Sequence, residues 1–321
     1  MLALGPDPTP VALLDSLSTR NTSLWIKRDD LTHPLYGGNK VRKLSRLLAD
    51  AARVGAPRIV TVGAIGSHHV LATGVFGRLA RLPVDAVVLP QPNSRHVLET
   101  ARASRAQGVG LFPAESYAQA AAWLKARVAE GAYLIPAGGT NQLGTLGIVD
   151  AAAELAEQIR QGELPEPELI VVALGSGGTV AGLLAGLTLA GLRTRVLAVT
   201  VVEPAQLFEH RARALAKTLV DAEVRLQLSA RLECDRRYLG PGYGYATPAS
   251  AHATREAERF GVVLDDTYTA KAFAAALDRV AAGTERTILF WHTLSSAPLA
   301  PLLAGAPNEA ELDPALRRLA R

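Results

Sequence analysis

Residues 169–192 read LIVVALGSGGTVAGLLAGLTLAGL without a single charge, and how this stretch divides decides the fold. Undivided, it is long enough to cross a bilayer as one helix. Its middle, Gly175-Ser176-Gly177-Gly178-Thr179, argues against that, because a glycine cluster breaks a helix and marks a tight loop. The stretch then becomes a buried strand, a turn and an apolar helix, as in parallel sheets covered on both faces. Backbone N–H groups of such a turn converge on a dianion at the helix N-terminus, and the Ser176 and Thr179 hydroxyls add donors, so a bound phosphate fits. Other phosphate and catalytic motifs are excluded by spelling. Val180 stands where a dinucleotide fingerprint needs its third glycine, no Walker lysine follows, and Leu174 stands where a hydrolase nucleophile elbow needs glycine.

The same rhythm extends outward. Short β-branched runs (LWIKRDD, RIVTVGAI, VDAVVLP, GLFPA, YLIPAGG, LIVVALG, VLAVTVV, TILFWHT) alternate with helical patterns such as KVRKLSRLLADAARVG, AQAAAWLKARVAEG and TLGIVDAAAELAEQIRQG. This predicts an α/β protein with mostly parallel sheets flanked by helices. A chain of 321 residues corresponds to about two domains. With boundaries near Leu44 and after PAGGTNQLGTLG, residues 1–44 and 150–321 form the expected large domain and 45–149 the small one. At 49% hydrophobic and 5% aromatic the chain is neither disordered nor a base-stacking platform, and a net charge of +4 with no basic stripe leaves nucleic acid an unexpected partner. Cys234 stands alone, so neither a disulfide nor a cysteine-rich zinc site forms within the chain, and residues 1–20 lack a secretory leader pattern. A cytoplasmic location with no membrane partner is expected. The adjacent pair His68-His69 would point about 100° apart on a helix, which does not suit one metal.

Only six of the 34 basic residues are lysines (Lys27, Lys40, Lys43, Lys125, Lys217, Lys271). Lys40 follows Tyr36-Gly37-Gly38-Asn39 and opens a helix, where the positive helix end and Lys43 lower an amine's pKa. Lysines of that kind condense with carbonyl compounds, and pyridoxal phosphate is the commonest such cofactor.

In order along the chain, the blocks LGPDPTP, IKRDDLT, GGNKVRKL, GSHH, PAGGTNQLGTLG, LGSGGTVAGL, PGYGYATPA, DDTYTAKA and FWHT resemble the pyridoxal-phosphate enzymes of the D-cysteine desulfhydrase and 1-aminocyclopropane-1-carboxylate deaminase family, of the tryptophan synthase β class. The resemblance implies fold type II, two domains with twisted open sheets and pyridoxal 5'-phosphate in the cleft between them. It makes Lys40 the Schiff-base lysine and proton carrier, and assigns the phosphate to Gly175, Ser176, Gly177, Gly178 and Thr179. Ser67 matches a serine near the substrate carboxylate, with Thr73 and Gly74 further along its helix. Tyr243 and Tyr268 match two tyrosines that assist acid–base chemistry and orient the substrate. A homodimer is common in the family.

Thr269 bears on the substrate. Where cyclopropane-opening deaminases carry glutamate against the pyridine nitrogen, desulfhydrases carry threonine, and a neutral hydroxyl makes the ring a weaker electron sink. The resemblance therefore implies α,β-elimination on a small amino acid, with D-cysteine giving pyruvate, ammonia and sulfide. Deamination of the cyclopropane, β-replacement or racemisation on the same cofactor, and cofactor binding without turnover are the alternatives. Three departures bear on the pocket. His68 replaces an asparagine that would hydrogen-bond the cofactor's 3'-oxygen, DDTYTAK stands for DPVYTGK, and HTLSS, with Thr293 and Ser295, stands for HTGG.

Overall fold

In the computed structural model, residue 4, residues 8–222, residue 228 and residues 231–321 are described, so Gly5, Pro6 and Asp7 of the opening block lie outside the described residues. Among the described residues ten strands are present: β1 (Val11–Leu13), β2 (Ser23–Lys27), β3 (Ile59–Ala64), β4 (Val84–Leu89), β5 (Gly110–Pro113), β6 (Tyr133–Leu134), β7 (Leu169–Leu174), β8 (Arg195–Thr200), β9 (Leu232–Asp235) and β10 (Thr287–Trp291). They form a six-stranded sheet of order β1-β2-β10-β7-β8-β9 and a four-stranded sheet of order β5-β4-β3-β6. The smaller sheet is parallel throughout. In the larger one only the edge pair β1–β2 is antiparallel. The α/β fold with parallel sheets flanked by helices is thus the one expected.

The uncharged stretch divides as its glycines require. Strand β7 is followed by a turn and the helix Gly178–Leu189. Alternate residues of β7 enter two cores. Ile170, Val172 and Leu174 join Leu289 and Trp291 beneath Gly178–Leu189 and Gln142–Arg160, while Leu169 and Val171 join Ile288, Phe290 and Phe273 on the opposite face. A strand buried on both faces reads as a continuous apolar run, which explains LIVVAL. The helix after it is apolar all round because it too is enclosed; a Cβ on Gly182 would lie 2.5 Å from Ile148 and one on Gly186 2.5 Å from Ala152, so small residues set the close approach of the two helices. No helix among the described residues is long and apolar enough to cross a membrane.

Internal contacts divide the chain into two compact units. One comprises Pro6–Lys43 with Asn141–Ser296, and the other contains Leu44–Thr140 and Ala297–Arg321. The last segment is a difference from the sequence expectation, which assigned it to the large domain. The backbone shows why it joins the smaller sheet's unit. Gln91 N–H donates to Leu319 O at 2.8 Å and Arg321 N–H to Gln91 O at 2.9 Å. Arg102 and Gln107 donate to the carbonyls of Pro307 and Leu302.

Candidate active site

Lys40 lies in the first turn of the helix Asn39–Arg53, and the loop before it is held from two sides. Gly38 N–H donates to Asp29 O at 2.8 Å, Thr32 Oγ1 to Gly38 O at 3.0 Å, and Asn39 N–H to Thr293 O at 3.2 Å. Gly38 has φ +91°, and a Cβ there would sit 2.6 Å from the Thr293 carbonyl oxygen, so the close approach requires glycine. Gly37 N–H donates to Ser295 Oγ at 2.8 Å, so one of the departures in HTLSS is a ligand of the lysine loop. His292, of the FWHT block, is fully buried and stacked on Phe290, and burial lowers its pKa.

Burial holds the Lys40 ammonium at a pKa of about 8, against the opposing pull of Asp265. Lys43, one turn on, is buried and held well below the ordinary lysine value by burial and by Lys40. Two residues past Lys40, Arg42 joins a buried charge network. It pairs with Asp29 at 2.7 Å and Glu154 at 2.9 Å; Lys27 also pairs with Glu154, and Trp291 Nε1 donates to Asp29 at 2.8 Å. This network fixes the helix start on β2, β10 and the helix Gln142–Arg160.

Asn39 connects the lysine to the glycine turn. Lys40 Nζ donates to Asn39 Oδ1 at 2.9 Å, and Asn39 Nδ2 donates to Thr179 Oγ1 at 2.8 Å. Gly177, at φ +94°, is the N-cap of Gly178–Leu189, and no side chain caps that end. Among the described residues, six other α-helices begin on a capping side chain, that of Ser67, Ser94, Ser116, Asn141, Thr247 or Asp313. An uncapped N-terminus in a turn of Gly175, Ser176, Gly177, Gly178 and Thr179 suits a phosphate, with the helix dipole adding to its N–H groups. A Cβ on Gly175 would fall 2.8 Å from the Tyr268 ring, which leaves no room for a side chain in the turn.

Tyr268 Oη donates to Tyr243 Oη at 3.0 Å, and the rings meet edge to face. Lys271, fully buried, donates to the carbonyls of Leu239 and Gly242 and so anchors the PGYGY loop that carries Tyr243. Thr269 is buried at the start of the helix Thr269–Ala282. Its hydroxyl donates to Asp265 Oδ1 at 2.6 Å and accepts from Asp265 N–H at 2.8 Å.

Lys40, the glycine turn, Tyr243, Tyr268 and Thr269 therefore belong to one unit. Ser67 and His68 belong to the other. There Ser67 caps the helix His68–Leu79, and His68 Nε2 lies 3.0 Å from His96 Nε2, so one ring donates and the other accepts. The sequence alone assigns no role to Asn39 or Asp265. Asn39 had a signal in standing beside a helix-opening lysine, and Asp265 in lying four residues before Thr269, the spacing of a carboxylate that receives a helix's first N–H groups.

A family model described as pyridoxal-phosphate dependent enzyme matches residues 2–293. The chain belongs to that family. Its cofactor is pyridoxal 5'-phosphate, and the bridged lysine and uncapped glycine turn fit that group's aldehyde and phosphate. A Klebsiella pneumoniae protein named D-cysteine desulfhydrase is 34% identical over 304 residues, 89% of this chain and 91% of its own. A Pyrococcus furiosus protein provisionally named 1-aminocyclopropane-1-carboxylate deaminase is 34% identical over 296 residues, covering 90% and 89%. The crystal structure of an ACC deaminase homologue superposes with a TM-score of 0.78 at 30% identity, covering 94% of each chain.

Proposed function

We infer that the protein is a pyridoxal-phosphate-dependent lyase that removes a β-substituent from a small amino acid, with D-cysteine the leading candidate. The observation that carries this reading is the chain Lys40–Asn39–Thr179, which sets a low-pKa amine one side chain away from a phosphate-suited turn. Bound pyridoxal phosphate supplies an electron sink in conjugation with the substrate's Cα. Gly175, Ser176, Gly177, Gly178 and Thr179 would hold its phosphate, and Lys40 would hold its aldehyde carbon. Once free, the Lys40 amine takes the Cα proton; at a pKa near 8 a useful fraction is neutral at physiological pH. Tyr243 and Tyr268, joined through their hydroxyls, are phenols suited to giving a proton to the departing thiolate. In balance, D-cysteine and water give pyruvate, ammonia and hydrogen sulfide.

Ser67, at the N-terminus of His68–Leu79, has a hydroxyl and helix dipole suited to the substrate carboxylate, and His68 an imidazole suited to the cofactor's 3'-oxygen. Homodimeric assembly and a cytoplasmic location belong to the same proposal. Thr269 favours elimination over cyclopropane opening, because it offers a hydroxyl where a carboxylate would support the ring better. Release of 2-oxo acid from D-cysteine, L-cysteine, β-chloro-D-alanine and 1-aminocyclopropane-1-carboxylate tests this. If roughly 3 kcal/mol of sink stabilisation is missing, the β-substituted D-amino acids exceed the cyclopropane by about two orders of magnitude in kcat/KM. Comparable values move the protein to the deaminase reading, and no 2-oxo acid from any of them removes the lyase reading.

A further inference from the structure

Asp265 sits behind Thr269 in a way that a helix cap alone does not require. Its two carboxylate oxygens accept the N–H groups of Thr267, Tyr268 and Thr269, which is capping. Beyond that, Oδ1 takes the Thr269 hydroxyl proton at 2.6 Å, a short charge-assisted bond, while the Asp265 N–H donates to the same hydroxyl oxygen at 2.8 Å. A hydroxyl has one proton and two lone pairs, so the proton and one lone pair of Thr269 are used. Only a lone pair remains. Toward a ring nitrogen, this hydroxyl can accept and cannot donate unless it abandons a carboxylate. The same carboxylate acts on the Lys40 ammonium, favouring its charged form, so it lies within electrostatic reach of the amine.

We propose that Asp265 is a positioning residue that locks the Thr269 hydroxyl as a hydrogen-bond acceptor, so that the cofactor's pyridine nitrogen is bound in its protonated form. This rests on the reading above that Thr269 meets that nitrogen. An acceptor lone pair stabilises a ring N–H and repels a bare ring nitrogen. The negative charge one hydroxyl away adds to this, giving the ring more support than an isolated threonine and less than a carboxylate in direct contact.

The test is the ¹⁵N chemical shift of the ring nitrogen in holoenzyme loaded with ¹⁵N-labelled pyridoxal phosphate. The expected wild-type shift at neutral pH is that of a protonated ring. Asp265→Asn keeps one capping oxygen but removes the charge, and is expected to move the shift toward the unprotonated value and to lower kcat about ten- to a hundredfold with KM little changed. Thr269→Val is expected to move the shift likewise, and Thr269→Ser to restore it. An unprotonated ring in the wild type overturns the proposal, even if Asp265→Asn fails to fold. A shift unmoved in folded Asp265→Asn but moved in Thr269→Val overturns the role of Asp265 and leaves Thr269 at the ring. A shift unmoved in both overturns the proposal together with the placement of Thr269.

Discussion

The Lys40 amine provides a prediction whose size follows from its burial. An ordinary lysine near 10.5 has about one neutral molecule in three thousand at pH 7, whereas a group at about 8 has about one in eleven. Only the neutral amine attacks an aldehyde. When cofactor-free protein is mixed with pyridoxal phosphate, the visible band should therefore appear at a rate that rises about tenfold between pH 7 and pH 9 and then levels off. An unperturbed lysine would gain about a hundredfold over that interval and continue rising. The sign for stability is consistent. The unfolded chain binds more protons than the folded one between about 8 and 10.5, so this half-buried lysine destabilises the cofactor-free fold at neutral pH and the cost fades as pH rises through that window. Stopped-flow absorbance against pH is the assay. A rate still climbing log-linearly beyond pH 10 would refute the claim that burial, opposed only by Asp265, sets this amine.

Two further substitutions probe the frame around the site. Gly177→Val forces a branched side chain to φ +94°, with its Cβ 3.3 Å from Ala212, at a backbone cost of about 1–2 kcal/mol or more. Cofactor affinity, read by fluorescence titration, should fall at least about tenfold with helicity retained; wild-type affinity would make the turn a packing feature only. Arg42→Ala leaves Asp29 and Glu154 without their guanidinium partner and should cost about 3–5 kcal/mol in urea unfolding. A loss below about 1 kcal/mol would mean that Lys27, Trp291 and water satisfy those carboxylates.

Eight of the ten strands among the described residues coincide with apolar runs visible in the sequence, and in the interior strands β3, β4, β7, β8 and β10 burial leaves little polar alternation to obscure them. The two that were not legible, β1 and β9, are short edge strands of the larger sheet, and β9 reads LECD, half polar and so without an apolar run. That the segment 297–321 groups with the smaller sheet's unit is not legible in the sequence, because its backbone bridge, Gln91 to Ala320, joins residues far apart in sequence and leaves no periodic pattern. Within the candidate site, the glycine turn and Lys40 were readable from glycine spacing and helix position. The links among them were not. Asn39 to Thr179 spans 140 positions, and only the fold shows that the lysine's neighbour reaches the turn. The hydroxyl of Thr269 could be read as neutral, but the carboxylate that takes its proton becomes evident only when the turn before the helix is seen.

The measurement that bears most directly on the account is borohydride reduction of the holoenzyme followed by peptide mapping of the labelled lysine. Lys43 is the strict control, being one turn away, buried and also low in pKa. The account predicts label on Lys40 alone, with Lys40→Ala losing both the label and the visible band. Label on Lys43 or any other lysine, or a visible band that survives in Lys40→Ala, would contradict it.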